Sequence, residues 1–158
     1  MAFRNMVLFI GAFVLFIFAT LVSWYEGGQL RYKSVEWEHT AFFSNWTNDG
    51  FTNSENLLTI DHFVYAAKFE PLFPLLMAAS FLWMVFQVAF WIFKRHRVAN
   101  NTFLLFMAMT SFVMCPILFN SPTTGFKLFS LFFALVGLGS ILGMFLFEGR
   151  RKRMIEPT

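Results

Sequence analysis

A single cysteine, Cys115, stands among 158 residues, so no internal disulfide can form and a paired-thiol oxidoreductase is excluded. Charge is scarce too: 13% of the residues are charged, against about a quarter in an ordinary soluble domain. The scarcity is uneven. Four apolar runs, at residues 6–24, 71–93, 102–119 and 128–147, contain no Asp, Glu, Lys, Arg or His. Ionisable groups inside a bilayer mark ion routes and proton relays, so their absence argues against a pump, a voltage sensor or a proton-coupled transporter. It also removes any intramembrane histidine pair that could ligate haem. Neither H-E-x-x-H nor another recognised ligand spacing occurs, so no metal and no cofactor are expected.

What fills the space is apolar and aromatic. The chain is 58% hydrophobic and 21% aromatic, with 25 phenylalanines. Each run approaches the roughly 20 residues needed to cross about 30 Å of hydrocarbon. Lipid offers backbone N–H and C=O groups no partner, so each run must be helical. The expectation is an all-α polytopic membrane protein with four transmembrane helices, forming a single membrane domain over residues 1–158. The first run reads as a retained span. It is long for a signal-peptide core, ends in Trp24, Tyr25 and Glu26, and lacks a small-x-small cleavage pattern.

Basic residues set an orientation. Arg4 precedes the first run, Lys94, Arg95 and Arg97 follow the second, and Arg150, Arg151, Lys152 and Arg153 follow the fourth. Between the first two runs Arg31, Lys33 and Lys68 face seven acids. Lys127 is the only basic residue between the last two. The positive-inside rule then places both termini in the cytoplasm and residues 26–70 in one large outer loop. The basic clusters are expected to meet anionic lipid headgroups, at about 1 kcal/mol per charge. Nucleic acid is not an expected partner.

Within the loop, residues 44–56 read as turn-rich, with a tight turn at Asp49-Gly50. Residues 57–70 read as an interfacial helix, with Leu57, Ile60, Val64 and Ala67 at helical spacing and Asn53 or Ser54 as cap. Pro71 and Pro74 should bend its junction with the second span. Trp24 and Tyr25 suit an aromatic belt, but Trp37, Phe42, Phe43 and Trp46 exceed what anchoring needs. They have two open fates: packing on their own chain, or docking on a partner. Asn45-Trp46-Thr47 is also a glycosylation sequon.

Small residues mark helix contacts. Gly139 and Gly143 form a small-xxx-small pair, while Ser130, Ala134 and Gly137 fall on another face. Ala108, Ser111 and Cys115 make a similar stripe ahead of a kink at Pro116. Packing within the chain and a seam between copies both suit such faces.

The stretch SWYEGGQL, within Ser23–Tyr32, resembles small uncharacterised bacterial four-span membrane proteins. The resemblance implies a bacterial plasma membrane and no particular activity. The four-span layout with a large first loop is also similar to that of claudin-like proteins. Their paired loop cysteines and G-L-W pattern are missing here, so no residue role carries over.

These features lead to an expected function: a non-catalytic accessory or scaffolding subunit, its partners membrane lipids and another membrane protein or a second copy. One alternative is a small oligomeric channel or transporter lined by Gln87, Thr110, Ser111 and Ser140. Another is a membrane-surface enzyme using Glu36, Glu38, His39, Asp61 or His62.

Overall fold

The computed structural model describes residues 2–47, 56–93 and 96–155, with side chains described between residues 3 and 146 of those stretches. Helix is the only regular structure among the described residues. A long helix, α1 (Ala2–Gly27), leads through two 3-10 turns, Gly28–Tyr32 and Ser34–Glu36, into three short helices. These are α2 (Trp37–Thr40), α3 (Phe42–Thr47) and α4 (Thr59–Phe69). Three long helices follow: α5 (Leu72–Ile92), α6 (Arg97–Phe119) and α7 (Thr124–Ile155).

The four long helices are each long and apolar enough to cross a membrane, with mean hydropathy between 2.0 and 2.7. Give or take a terminal residue, each expected apolar run lies inside one of them. Helices α1, α6 and α7 outrun their apolar runs because backbone hydrogen bonding continues into polar flanks. Pro71 stands just before α5 and Pro74 sits in its first turn, where helical amides have no partner to lose. Leu75 N–H still donates to Pro71 O at 2.9 Å.

The chain divides into two compact units, one of residues 1–84 with 123–126, the other of residues 85–122 with 127–158. In the first unit, α1 meets α5 through the ring pairs Phe16–Phe81 and Phe18–Phe73, at 5.9 and 6.0 Å. The described residues between 28 and 70 fold into a cap over its own small core. Leu30, Ala41, Leu57 and Tyr65 are buried there, with Trp37 packed against them.

In the second unit, Phe86 meets Phe103 edge-on at 5.7 Å and Phe93 meets it tilted at 6.2 Å. Ala108 and Ser111 are buried on α6. Gly137 packs under the ring of Phe112, and Gly143 meets Leu104 at ordinary van der Waals distance. Gly139, by contrast, has open space where a Cβ would stand. Gly139 and Gly143 therefore do not form one seam within the chain. One polar bridge joins α6 to α7: Ser130 Oγ donates to Cys115 O at 2.8 Å and lies 3.2 Å from Cys115 Sγ. With the hydroxyl proton committed to the carbonyl, the thiol is the donor in the second contact.

Candidate functional site

Helix α4 is short, yet it buries Asp61, His62 and Lys68 together with Tyr65 and Ala66. Of the residues at helical spacing, Leu57 is buried just before the helix, Ile60 is 48% exposed, and Val64 and Ala67 are half-buried. Buried polar groups need partners, and here the partners come from segments far away in sequence.

Asp61 is fully buried, and its carboxylate accepts three hydrogen bonds from α3. The donors are Phe43 N–H at 3.1 Å, Ser44 N–H at 2.8 Å and Ser44 Oγ–H at 2.5 Å. The first amides of a helix have no partner of their own, and α3 has no acid in its first turn. Asp61 is thus an N-cap supplied from 17 residues downstream. Ser44 Oγ in turn accepts Leu58 N–H at 2.8 Å, which ties the start of α4 to the start of α3.

This borrowed cap corrects the expected turn-rich segment, because Ser44–Thr47 is helical. Asp49, Gly50, Asn53 and Ser54, the expected turn and cap residues, lie outside the described residues. Leu58 occupies the N-cap position of α4 and makes no side-chain cap bond.

Lys68 closes the other end. Its Nζ donates to His39 O and, at 3.2 Å, to Thr40 Oγ1, at the C-terminal end of α2 where a cation suits the helix dipole. The ammonium also lies over the rings of Phe42 and Phe126, at 5.1 and 5.8 Å. Burial pushes the Lys68 pKa below its ordinary value, with Glu36 opposing.

His62 differs from both. It is 2% exposed, and neither ring nitrogen has a partner among the described residues. Burial and the Arg31 charge lower its pKa from the usual 6.5, while Asp61 works the other way. Its backbone is where α1 comes closest. A Cβ on Gly27 would fall on the His62 carbonyl oxygen and stand 2.9 Å from the His62 Cα. Gly27 has ordinary helical backbone angles, so proximity alone demands glycine. In the last turns of α1, Ser23 Oγ and Glu26 Oε2 are buried without partners among the described residues as well. Gly125, at the start of α7, repeats the close approach: its Cβ would fall on the Ala67 carbonyl oxygen and 2.7 Å from the Lys68 carbonyl carbon. Two glycines from different helices therefore grip the backbone of α4.

The other candidate residues are placed as follows. Trp37 is folded inward, its Nε1 donating to Leu30 O at 2.8 Å, and Asn45 Nδ2 donates to Trp37 O at 3.2 Å. Phe42 and Phe43 are 53% and 39% exposed, Trp46 is 85% exposed, and the rings of Tyr25 and Tyr32 are open as well. Glu38 and His39 have exposed side chains. No group of three His, Cys, Asp or Glu among the described residues could hold a metal ion. Thr110 is exposed while its neighbour Ser111 is buried, and Ser140 Oγ donates to Val136 O of its own helix. Gln87 is half-buried, its Oε1 without a partner among the described residues. Arg97 is exposed at the start of α6. Lys94 and Arg95 lie outside the described residues. Arg150, Arg151, Lys152 and Arg153 continue α7, and their side chains lie outside the description.

Sequence reasoning passed over Gly27, Ser44, Lys68 and Gly125. One signal was available: Ala19, Ser23 and Gly27, all buried, recur every four residues, the spacing of a close helix contact. Nothing local marks Lys68 or Ser44, whose partners lie up to 29 residues away.

A family model described as a domain of unknown function (DUF4306) matches residues 6–93, more than half of the chain and the whole of the cap. Helices α6 and α7 fall outside that match. Among curated proteins, the chain is similar to the uncharacterized protein YjdJ of Bacillus subtilis (strain 168). The two are 32% identical over 74 residues, covering 46% of this chain and 68% of that protein. No solved structure matches.

Proposed function

The chain belongs to the DUF4306 family, and we propose that it acts in a bacterial plasma membrane as a non-catalytic accessory or scaffolding subunit. Both termini are cytoplasmic in this reading and the cap stands outside, as the basic clusters at residues 94–97 and 150–153 favour. The exposed Leu58, Ile60 and Phe69 of the cap suit an element lying along the bilayer interface.

One observation carries the reading. The cap's Asp61 and Lys68, which could have served chemistry, are bonded within its own fold, while Trp46, Tyr25 and Tyr32 are left more than 80% exposed. Large rings held open on a packed scaffold are recognition groups. The occupant is a membrane protein that meets the cap at the headgroup level.

The test is recovery of a cross-linked partner from cells in mild detergent, with and without Trp46→Ala. A partner whose recovery falls roughly tenfold or more in the variant supports the proposal, as loss of an interface hot spot requires. A solitary protein, or a partner indifferent to Trp46, ends it. The orientation has its own test in a Cys115→Ala background. A membrane-impermeant thiol reagent on intact cells should label Thr47→Cys and leave Val98→Cys untouched.

A further inference from the structure

Along the first half of α1, an open apolar groove of about 510 Å³ runs between that helix and α5, lined among others by Leu8, Gly11, Leu15, Ala79, Ser80 and Trp83. Ser80 contributes no polarity, since its Oγ donates to Leu76 O at 2.7 Å and lies 3.0 Å from Met77 O. Gly11 has open space where a Cβ would stand. The groove extends over residues 7–15, a rise of about 12 Å. The groove is open along its length, and a single hydrocarbon chain is narrow enough to lie in it.

Arg4 supplies the other half. At about 100° per residue, positions 4, 8, 11 and 15 share one stripe of α1. The only cation on this helix thus stands one turn beyond the groove and in line with it. Arg4 is exposed and has no hydrogen-bond or ion-pair partner among the described residues. No acid precedes Glu26 on α1. A guanidinium on an apolar helix reaches to the headgroup level and binds phosphate oxygens bidentately.

We propose that this groove is a binding site for an anionic glycerophospholipid, one acyl chain lying along Leu8–Leu15 and the phosphate paired with Arg4. The site goes beyond the docking role above and does not depend on it.

Trp83 lines the groove and is 52% exposed, so it reports occupancy directly. Its signal is isolated by subtracting the emission of Trp83→Phe. The full chain is reconstituted in phosphatidylcholine bilayers. Phosphatidylglycerol or phosphatidylcholine with the same brominated acyl chains is then added at equal fractions. Brominated phosphatidylglycerol should show about fivefold enrichment at Trp83, the factor one Arg at an anionic surface provides. Arg4→Gln should erase the preference and Arg4→Lys should keep most of it; the latter pair of readings carries the test should Arg4→Gln fail to fold. Gly11→Leu fills open space and should lower quenching by both lipids. Equal quenching in the unaltered protein overturns the site, as does a preference that survives Arg4→Gln. Protection of Trp83 from every brominated lipid means a protein helix occupies the groove. Displacement of phosphatidylglycerol by an equal amount of fatty acid means that a free acid, not a phospholipid, is the ligand.

Discussion

In the cap, side chains bond across elements: Asp61 to α3, Lys68 to α2 and Trp37 to the turn carrying Leu30. In the long apolar helices several hydroxyls bond backward within their own turn, as Thr20 does to Phe16 O, Ser80 to Leu76 O and Ser140 to Val136 O. Ser130 instead bridges to Cys115, and Ser23 Oγ has no partner among the described residues. The two regions answer different problems. Short helices such as α2 and α3 cannot hold themselves, because nucleation is unfavourable and too few residues follow to offset it. They need partners from elsewhere. A long helix satisfies its own backbone, and its remaining polar atoms need only be neutralised locally in a medium without water.

The glycines sharpen the contrast. Gly27 and Gly125 face backbone atoms of α4, which cannot yield. Gly137 faces the ring of Phe112, nearest atom 3.1 Å from a built Cβ, and a ring can move by tenths of an ångström. Cap contacts are therefore set by covalent geometry, and span contacts by adjustable side chains.

The sharpest break of this contrast is Asp61→Ala. It strips three hydrogen bonds from the start of α3 and leaves two amides and a hydroxyl unsatisfied in a buried site. The expected loss is about 3 kcal/mol. The emission of Trp37, in the cap core, should report melting of the cap, while far-UV ellipticity from the long helices persists. Asp61→Asn keeps the shape and one good acceptor, so it should lose roughly half as much. Simultaneous loss of the cap and the long helices would show that the two regions are not separable in this way.

Gly27→Ala comes next, at about 2 kcal/mol, because overpacking a rigid contact costs roughly 1–3 kcal/mol. Gly137→Ala, measured by the same thermal transition, should lose less than about 1 kcal/mol, since a gain in helix propensity partly offsets the crowding. A larger loss at Gly137 than at Gly27 would reverse the comparison.

The four long apolar helices and a helix within 57–70 were legible in the amino-acid order, because a long apolar run favours helix and the spacing at Leu57, Ile60 and Val64 has a helical period. The face that α4 buries was not. Asp61, His62 and Lys68 look solvent-facing by type; partners brought from residues 39–44 make the burial of Asp61 and Lys68 tolerable, and His62 is buried with none among the described residues. α3 was illegible for the same reason, since its cap belongs to another helix. Gly27 could have been read from the Ala19–Ser23–Gly27 spacing. Gly125 could not, because the backbone it touches lies more than 50 residues earlier.

His62 provides a smaller effect, and one that depends on pH. Its folded-state pKa is held below the ordinary 6.5 by burial and by Arg31, with Asp61 opposing. Other charges on the packed elements include Glu26 on α1 and Glu38 on α2. Between the lowered value and 6.5 the unfolded chain binds more protons than the folded one, so stability rises with pH across that window. The cap's midpoint temperature should therefore be flat above about 6.5, decline as pH falls below it, and level off once the folded imidazole is also protonated. His62→Gln should flatten that decline whatever it does to the absolute midpoint, because an amide does not titrate. A slope unchanged in His62→Gln would place the titration elsewhere, and His62 would then stand as ordinary buried filling between α1 and α4.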